Sequence, residues 1–280
     1  MLEDYKIITD SCCDLSEEMK VALDAVDTIP FFINIGKESV VDDNSLQVPV
    51  LLQKMKETKE KITTSCPSPE AWRDAFKKAG KSFAVTISSK LSASYESASV
   101  GLKMAKEESG AEGYVFDSLS ASSGEVLVAL KIRELSKMEL PYATIVSQVN
   151  TFIENMATFF VLDDVSNLVR NGRMKKATGT LVNVLGEKLV LGAKDGEIEK
   201  FNSVRGDKRI ADKLLDAVDM HARKVKNSDR LIISHCNNLP LAQEVMEKAK
   251  ERFGFARALI IETRGLSTFY ANDRGVIISY

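Results

Sequence analysis

Thr63-Thr64-Ser65-Cys66-Pro67-Ser68-Pro69-Glu70 and Ser88-Ser89-Lys90-Leu91-Ser92-Ala93-Ser94-Tyr95-Glu96 each read as a hydroxyl-rich turn leading from a strand into a helix. In the first, Ser68 fits an N-cap and Pro69 the first helical position; in the second, Ser92 fits a cap. Strand, turn and helix in direct succession form the repeating unit of a parallel sheet with crossover helices. A helix N-terminus also carries free amide donors and a partial positive charge, so such turns hold carboxylate or phosphate groups without a formal cation. Read singly, each turn is equally well an ordinary cap with wet hydroxyls. The pair together points to an anion site.

Outward from these turns, the first half alternates β-rich runs and helical patterns. Strands are predicted over 6–9, 28–33, 82–87 and 114–116. Helices are predicted over 16–25, 49–57, 69–78, 94–108 and 124–135. Ligands of such sheets collect at the carboxyl ends of the strands. Here those ends carry Thr9-Asp10-Ser11, the two turns above, and Asp117-Ser118-Leu119-Ser120. The segment 37–47 reads as a small hairpin or flap.

A second module begins near Leu140-Pro141 or after a helix over 142–156. It reads as strands over 158–162, 188–191, 198–201, 231–234, 256–262 and 276–279. Helices are expected over 166–170, near 179–185, and over 208–225 and 241–251. Asp195-Gly196 is a hairpin-turn signature. The expected fold class is therefore α/β: an N-terminal parallel-sheet α/β domain over residues 1–155, and a C-terminal α+β domain over 156–280 with a mostly antiparallel sheet.

A chain of 280 residues is long enough for two cores, and 44% hydrophobic with 28% charged residues is ordinary for a soluble protein. A net charge of −2 gives no reason to expect nucleic acid or an anionic membrane as partner. No run is apolar enough to span a membrane, and the start lacks a signal-peptide pattern, so a cytoplasmic protein without integral membrane contact is expected. Cys12, Cys13, Cys66 and Cys236 have neither zinc-site nor disulfide-framework spacing and read as thiols. Two histidines supply a metal site or catalytic triad poorly. His221 reads as a surface residue and His235 as a weak site candidate at a strand end. Phosphate-binding glycine loops and the nucleophile elbow are absent.

The ordered segments resemble the DegV family, almost from end to end. They are Ile7-Ile8-Thr9-Asp10-Ser11 with Asp14-Leu15, the two turns extended through Ser97-Ala98, and Asp117-Ser118. Leu168-Val169-Arg170-Asn171-Gly172-Arg173-Met174, Asp195-Gly196 and Val204-Arg205-Gly206 follow. The resemblance implies a long-chain fatty acid held in a tunnel between the two domains. It further implies a carrier without chemistry of its own or any cofactor, which presents the carboxylate to an ATP-dependent fatty acid kinase. Carried over, the carboxylate positions are Thr64, Ser65, Ser92 and the Ala93 amide, with Ser94 beside them, while Arg173 and Arg205 face the site mouth or the kinase. Phe31, Phe32, Phe159 and Phe160 are candidates for the tunnel wall, and equally for plain core.

The chain departs from the family pattern at three places. Ala93 stands for a glycine, Glu187-Lys188-Leu189-Val190 replaces a proline-rich strand, and 262–275 lacks the family's His-x-Gly-x-Gly histidine. Thr268, Ser267, Tyr270 or Arg264 is expected to take that histidine's place. Two other readings compete: a binder of another small anion or acyl phosphate, and a serine-dependent hydrolase, which would need a base beside its serine.

Overall fold

The computed structural model describes residues 5–23, 26–174, 187–222 and 229–280. In chain order its elements begin β1 (Lys6–Asp10), α1 (Glu17–Leu23), β2 (Val26–Ile29), β3 (Phe32–Ile35), β4 (Glu38–Val41), α2 (Val48–Glu57) and β5 (Ile62–Ser65). Next come α3 (Pro69–Ala79), β6 (Lys81–Thr86), α4 (Ser94–Ser109), β7 (Glu112–Asp117), α5 (Ser123–Ser136), α6 (Tyr142–Asn155), β8 (Thr158–Leu162) and α7 (Ser166–Arg170). The rest are β9 (Glu187–Lys194), β10 (Glu197–Arg205), α8 (Ile210–Ala222), β11 (Arg230–His235), α9 (Leu239–Phe253), β12 (Arg257–Glu262), α10 (Gly265–Ala271) and β13 (Val276–Ser279).

The first sheet has the order β2-β1-β6-β7, with every neighbouring pair parallel. The strand predicted over 28–33 is a correction, because Pro30 ends it. Proline has no N–H for a ladder, and the chain leaves the parallel sheet at Ile29 to start β3. That strand joins β4 and β5 in a separate antiparallel sheet of order β4-β3-β5. The hairpin expected over 37–47 turns earlier, at Gly36 with φ of 59°.

The third sheet has the order β10-β9-β8-β13-β11-β12, antiparallel throughout except for β11 beside β12. Asp195 (φ 51°) and Gly196 (φ 81°) close the β9–β10 hairpin in the left-handed region that the Asp-Gly signature requires. The helix expected near 179–185 and the end of the one over 208–225 lie outside the described residues.

Helix α5 explains how the parallel and antiparallel sheets come together. Its Val126, Leu127, Val128, Ala129, Ile132 and Leu135 are all buried, so it is apolar nearly all round, as a central helix must be. It shares a core with Phe83, Val85 and Phe116 of the parallel sheet and with Ile232 and Ile261 of the antiparallel one. Helices α3 and α4 cover the other face of the parallel sheet through Trp72, Phe76, Ala98 and Ala105.

Gly101 sets the approach of α3 to α4. A Cβ there would lie 2.6 Å from the Pro69 carbonyl oxygen and 2.6 Å from Trp72 Cβ. Since α3 and α4 begin at the two turns, this contact also fixes the spacing between the turns. Gly101→Val is expected to destabilise the fold by about 2–4 kcal/mol, overpacking outweighing any gain in helix propensity. Urea unfolding checks this.

Candidate functional site

A cavity of about 380 Å³ opens where the carboxyl ends of the parallel strands meet the antiparallel sheet. Thr64, Ser65 and Cys66 reach it from the first turn, and Ser92 and Ala93 from the second. Phe160 and Leu162 of β8, Ile277 of β13 and Ile198 of β10 give it an apolar wall, and Leu266, Ser267, Tyr270 and Ala271 of α10 close another side. Among the described residues its one cationic lining residue is Arg173.

The first turn folds as its sequence requires. Ser68 Oγ accepts from the Ala71 amide at 3.3 Å, and Pro69 opens the helix. Thr64 Oγ1 lies 2.9 Å from the Tyr270 hydroxyl, and Ser65 Oγ accepts from Asn34 Nδ2 at 3.0 Å. In the second turn the Ser92 amide donates to the Ser88 carbonyl at 3.1 Å, and Ser92 Oγ accepts from the Ser94 amide at 3.2 Å. Ala93 is the N-cap of the 16-residue helix α4 and supplies no side-chain cap. The first amide of α4 is thus met by Ser92 Oγ, and Ala93 just before the helix borders the cavity.

Arg173 is held in place from two sides. Its Nε donates to the Leu91 carbonyl at 2.9 Å and its Nη1 to the Asn171 carbonyl at 2.5 Å. Asn171 Nδ2 in turn donates to the Ile62 carbonyl of β5 at 3.2 Å. The Arg173 turn thus bridges the second hydroxyl turn and the start of β5. Burial raises the Tyr270 phenol above its ordinary value, more than the Thr64 contact and the Arg173 charge lower it, so it stays a neutral donor. Thr64, Ser65, Ser92, Tyr270 and Arg173 line one cavity with the Ala93 amide, an array suited to one anionic head group.

Three expected site residues lie elsewhere. Ser94 is fully buried and donates to Asp10 Oδ2 at 2.7 Å, so it does not line the cavity. Thr268 is also buried, with its hydroxyl 2.8 Å from that of Thr263. Arg205 is exposed at the end of β10, opposite Glu187. Of the four phenylalanines, Phe31 and Phe160 line the cavity. Phe159 points to the opposite face of its strand, into a core with Phe201 and Tyr280.

Of the residues offered for the missing histidine, Tyr270 and Ser267 reach the cavity. Arg264 turns outward to Asn44 and the Leu15 carbonyl. The spacing 266, 267, 270, 271 is one face of a helix, a signal that would have favoured Tyr270 over Thr268. His235 does not line the cavity; its Nδ1 accepts from the Asn238 amide at 3.3 Å, and burial lowers its pKa. The His221 side chain lies outside what is described. All four cysteines are free thiols, and among the described residues no cluster of His, Cys, Asp or Glu could hold a metal ion. Nor is any described helix long and apolar enough to cross a membrane.

Behind the cavity, buried carboxylates tie the loops together. Asp10 accepts from the Cys12 amide at 3.1 Å, the Ile87 amide at 3.1 Å and Ser94 Oγ. Asp14 accepts from Ser122 Oγ and, at 2.7 Å, from the Arg264 amide. Asp42 accepts from Ser11 Oγ at 2.8 Å and caps α10 through the Gly265 and Leu266 amides at 2.9 and 2.8 Å. Burial raises all three, Asp10 to about 6 and Asp14 to about 7. Glu125, buried without a hydrogen-bond partner for either oxygen among the described residues, is pushed well above its ordinary range, first by burial and then by the Asp10 charge.

The class these features define is a mixed α/β protein, a parallel sheet beside a separate, mostly antiparallel one, with an apolar cavity where they meet. The chain belongs to the DegV family: the family model described as "Uncharacterised protein, DegV family" matches residues 4–275. A DegV domain-containing protein of Streptococcus gordonii is 33% identical over 279 residues, covering 99% of this chain and 98% of that one. The crystal structure of a DegV family protein from Ruminococcus gnavus, refined with vaccenic acid, superposes with a TM-score of 0.91 at 36% identity over 99% of both chains. The Streptococcus pneumoniae Fatty Acid Kinase (Fak) B3 protein loaded with linoleic acid superposes with a TM-score of 0.88 at 30% identity, covering 99% of this chain and 98% of that one.

Proposed function

We propose that this chain binds one long-chain fatty acid in the cavity and presents its carboxylate to an ATP-dependent fatty acid kinase, with no catalysis of its own. The observation that carries the reading is the cavity's polarity. Its wall is largely apolar, while Thr64 of the first turn pairs with Tyr270 and Leu91 of the second turn accepts from the cationic Arg173. A fatty acid has one hydrogen-bonding end, so affinity comes mostly from burying methylenes at roughly 0.8 kcal/mol each. Hydroxyls and helix amides hold the head.

In this reading the carboxylate sits among Thr64, Ser65, Ser92, the Ala93 amide, Tyr270 and Arg173. Ser94 acts through Asp10, and Thr268 through the packing of α10. Residues 1–155 and 156–280 form the two domains that close on the acyl chain. Arg173 and the exposed Arg205 face the kinase. The relatives of known structure support this, since they carry vaccenic and linoleic acids and one is named as a fatty acid kinase B protein.

Cys66 provides the test. It lines the cavity beside Ser65, half-buried, and its thiol is raised chiefly by burial. Cys12, Cys13 and Cys236 are buried. In delipidated protein, oleic acid is expected to slow N-ethylmaleimide labelling of Cys66 at least about tenfold, while its methyl ester, lacking the anion, protects far less. Equal labelling with and without oleic acid would sink the proposal.

A further inference from the structure

Four further hydroxyls line the cavity beyond those assigned to the head group, and a saturated acyl tail has no use for them. Ser120 and Ser122 come from the β7–α5 turn, Thr158 from the first residue of β8, and Ser267 from α10. Thr158 is separated from Leu162, at the other end of β8, by roughly 13 Å of strand. Leu162 packs with Leu168, whose carbonyl accepts from the Arg173 amide at 2.8 Å. Along this wall, then, Arg173 lies toward the Leu162 end and the Thr158 hydroxyl lies toward the tail.

These hydroxyls are not all saturated. Ser120 Oγ lies 2.7 Å from Thr158 Oγ1, which lies 2.9 Å from Ser279 Oγ, which lies 2.8 Å from Ser123 Oγ. Four hydroxyls joined by three bonds leave one donor not used within the chain, with acceptor lone pairs to spare. One of those ends is Ser120, whose other partner is the Ala121 carbonyl at 3.5 Å. Ser267 Oγ makes only a 3.4 Å bond to the Cys12 carbonyl and a 3.9 Å contact with Cys12 Sγ. Ser122 is engaged by Asp14 and Ser234. Ser267, and Ser120 where Thr158 donates to it, thus spend their donors only on long bonds that a ligand oxygen can displace, and with Thr158 they keep acceptor lone pairs at the cavity wall.

We propose that the cavity takes fatty acids bearing a hydroxyl or oxo group along the chain, held by Ser120, Thr158 and Ser267. This rests on the fatty-acid reading above and names the ligand class within it. Such a group entering a wholly apolar tunnel would lose its water without replacement. Here the hydroxyl chain replaces that water and selects the position of the substituent.

The test is a displacement assay on delipidated protein with stearic acid and a series of monohydroxystearic acids whose hydroxyl moves along the chain. One isomer, or two adjacent ones, is expected to bind as tightly as stearic acid or tighter, the others about tenfold more weakly. In the Ser120→Ala/Thr158→Val variant, and separately in Ser267→Ala, the ratio of that isomer's affinity to stearic acid's is expected to fall about threefold to tenfold. If every isomer binds at least about tenfold more weakly than stearic acid, or the ratio does not move in either variant, the proposal is wrong. Failure of stearic acid itself to bind would overturn the fatty-acid reading, and this inference with it.

Discussion

Asp10→Ala is expected to lower the free energy of unfolding by about 3–5 kcal/mol and to abolish ligand retention. Asp10 is fully buried at the end of β1 and accepts from the Cys12 and Ile87 amides and from Ser94 Oγ. Those donors belong to three segments: the turn after β1, the end of β6 and the first residue of α4. Removing the carboxylate leaves all three unpaired in a site too enclosed for water to replace it, and each costs about 1–3 kcal/mol before relaxation. The α4 N-terminus would then shift relative to β1, carrying Ser92 and Ala93 away from Thr64 and Ser65. Guanidinium unfolding measures the first effect, and a loss below about 1 kcal/mol would contradict it.

The second large effect is an unusual dependence of stability on pH. Asp10 and Asp14 are raised from 3.8 to about 6 and about 7 in the folded protein, with burial as the first cause of each. Between the unfolded and folded values the native state binds more protons than the unfolded chain, so stability falls as pH rises. A tenfold difference in proton affinity between the two states is worth about 1.4 kcal/mol. On lowering pH from about 8 to about 4.5, Asp10 thus restores about 2 kcal/mol and Asp14 about 3. Asp42 and Glu125 are raised as well and act in the same direction. Exposed carboxylates held low by lysine and arginine, such as Asp207 and Asp216, oppose this only near and below their unfolded values. Urea midpoints are therefore expected to rise from pH 8 to pH 5, and to rise less in Asp14→Asn. A steady fall over that range would show that the hydrogen bonds outweigh burial.

What the sequence carried openly was local. Ser68 and Pro69 specify the start of α3, Asp195-Gly196 specifies the β9–β10 hairpin, and the apolar run from Thr158 to Leu162 is a strand with the bounds its pattern gives. What it concealed depends on distant partners. Helix α10 has a weak local signal, with Gly265, Ser267 and Thr268 in seven residues, and its N-terminus is capped by Asp42, more than 200 residues earlier. Without that helix in view, Thr268 and Tyr270 could not be assigned to opposite faces. Pro30 signalled a break that apolar neighbours on both sides masked. Ser94 and Ser92 are two residues apart in one turn, yet one faces a buried carboxylate and the other the cavity, a difference that composition does not encode. Thr64 and Ser65 end β5 in the small antiparallel sheet rather than in the parallel one that the strand-turn-helix pattern suggested, because β5 pairs with β3, a partner about 30 residues earlier.

The most direct test of the central claim is mass spectrometry of small molecules released by denaturing the purified protein, beside the same analysis of Arg173→Ala. One long-chain fatty acid per chain, reduced at least about tenfold in the variant because a charge-assisted contact is lost, is the predicted result. A folded protein that releases no fatty acid, or releases as much from Arg173→Ala as from the unaltered chain, would contradict the account.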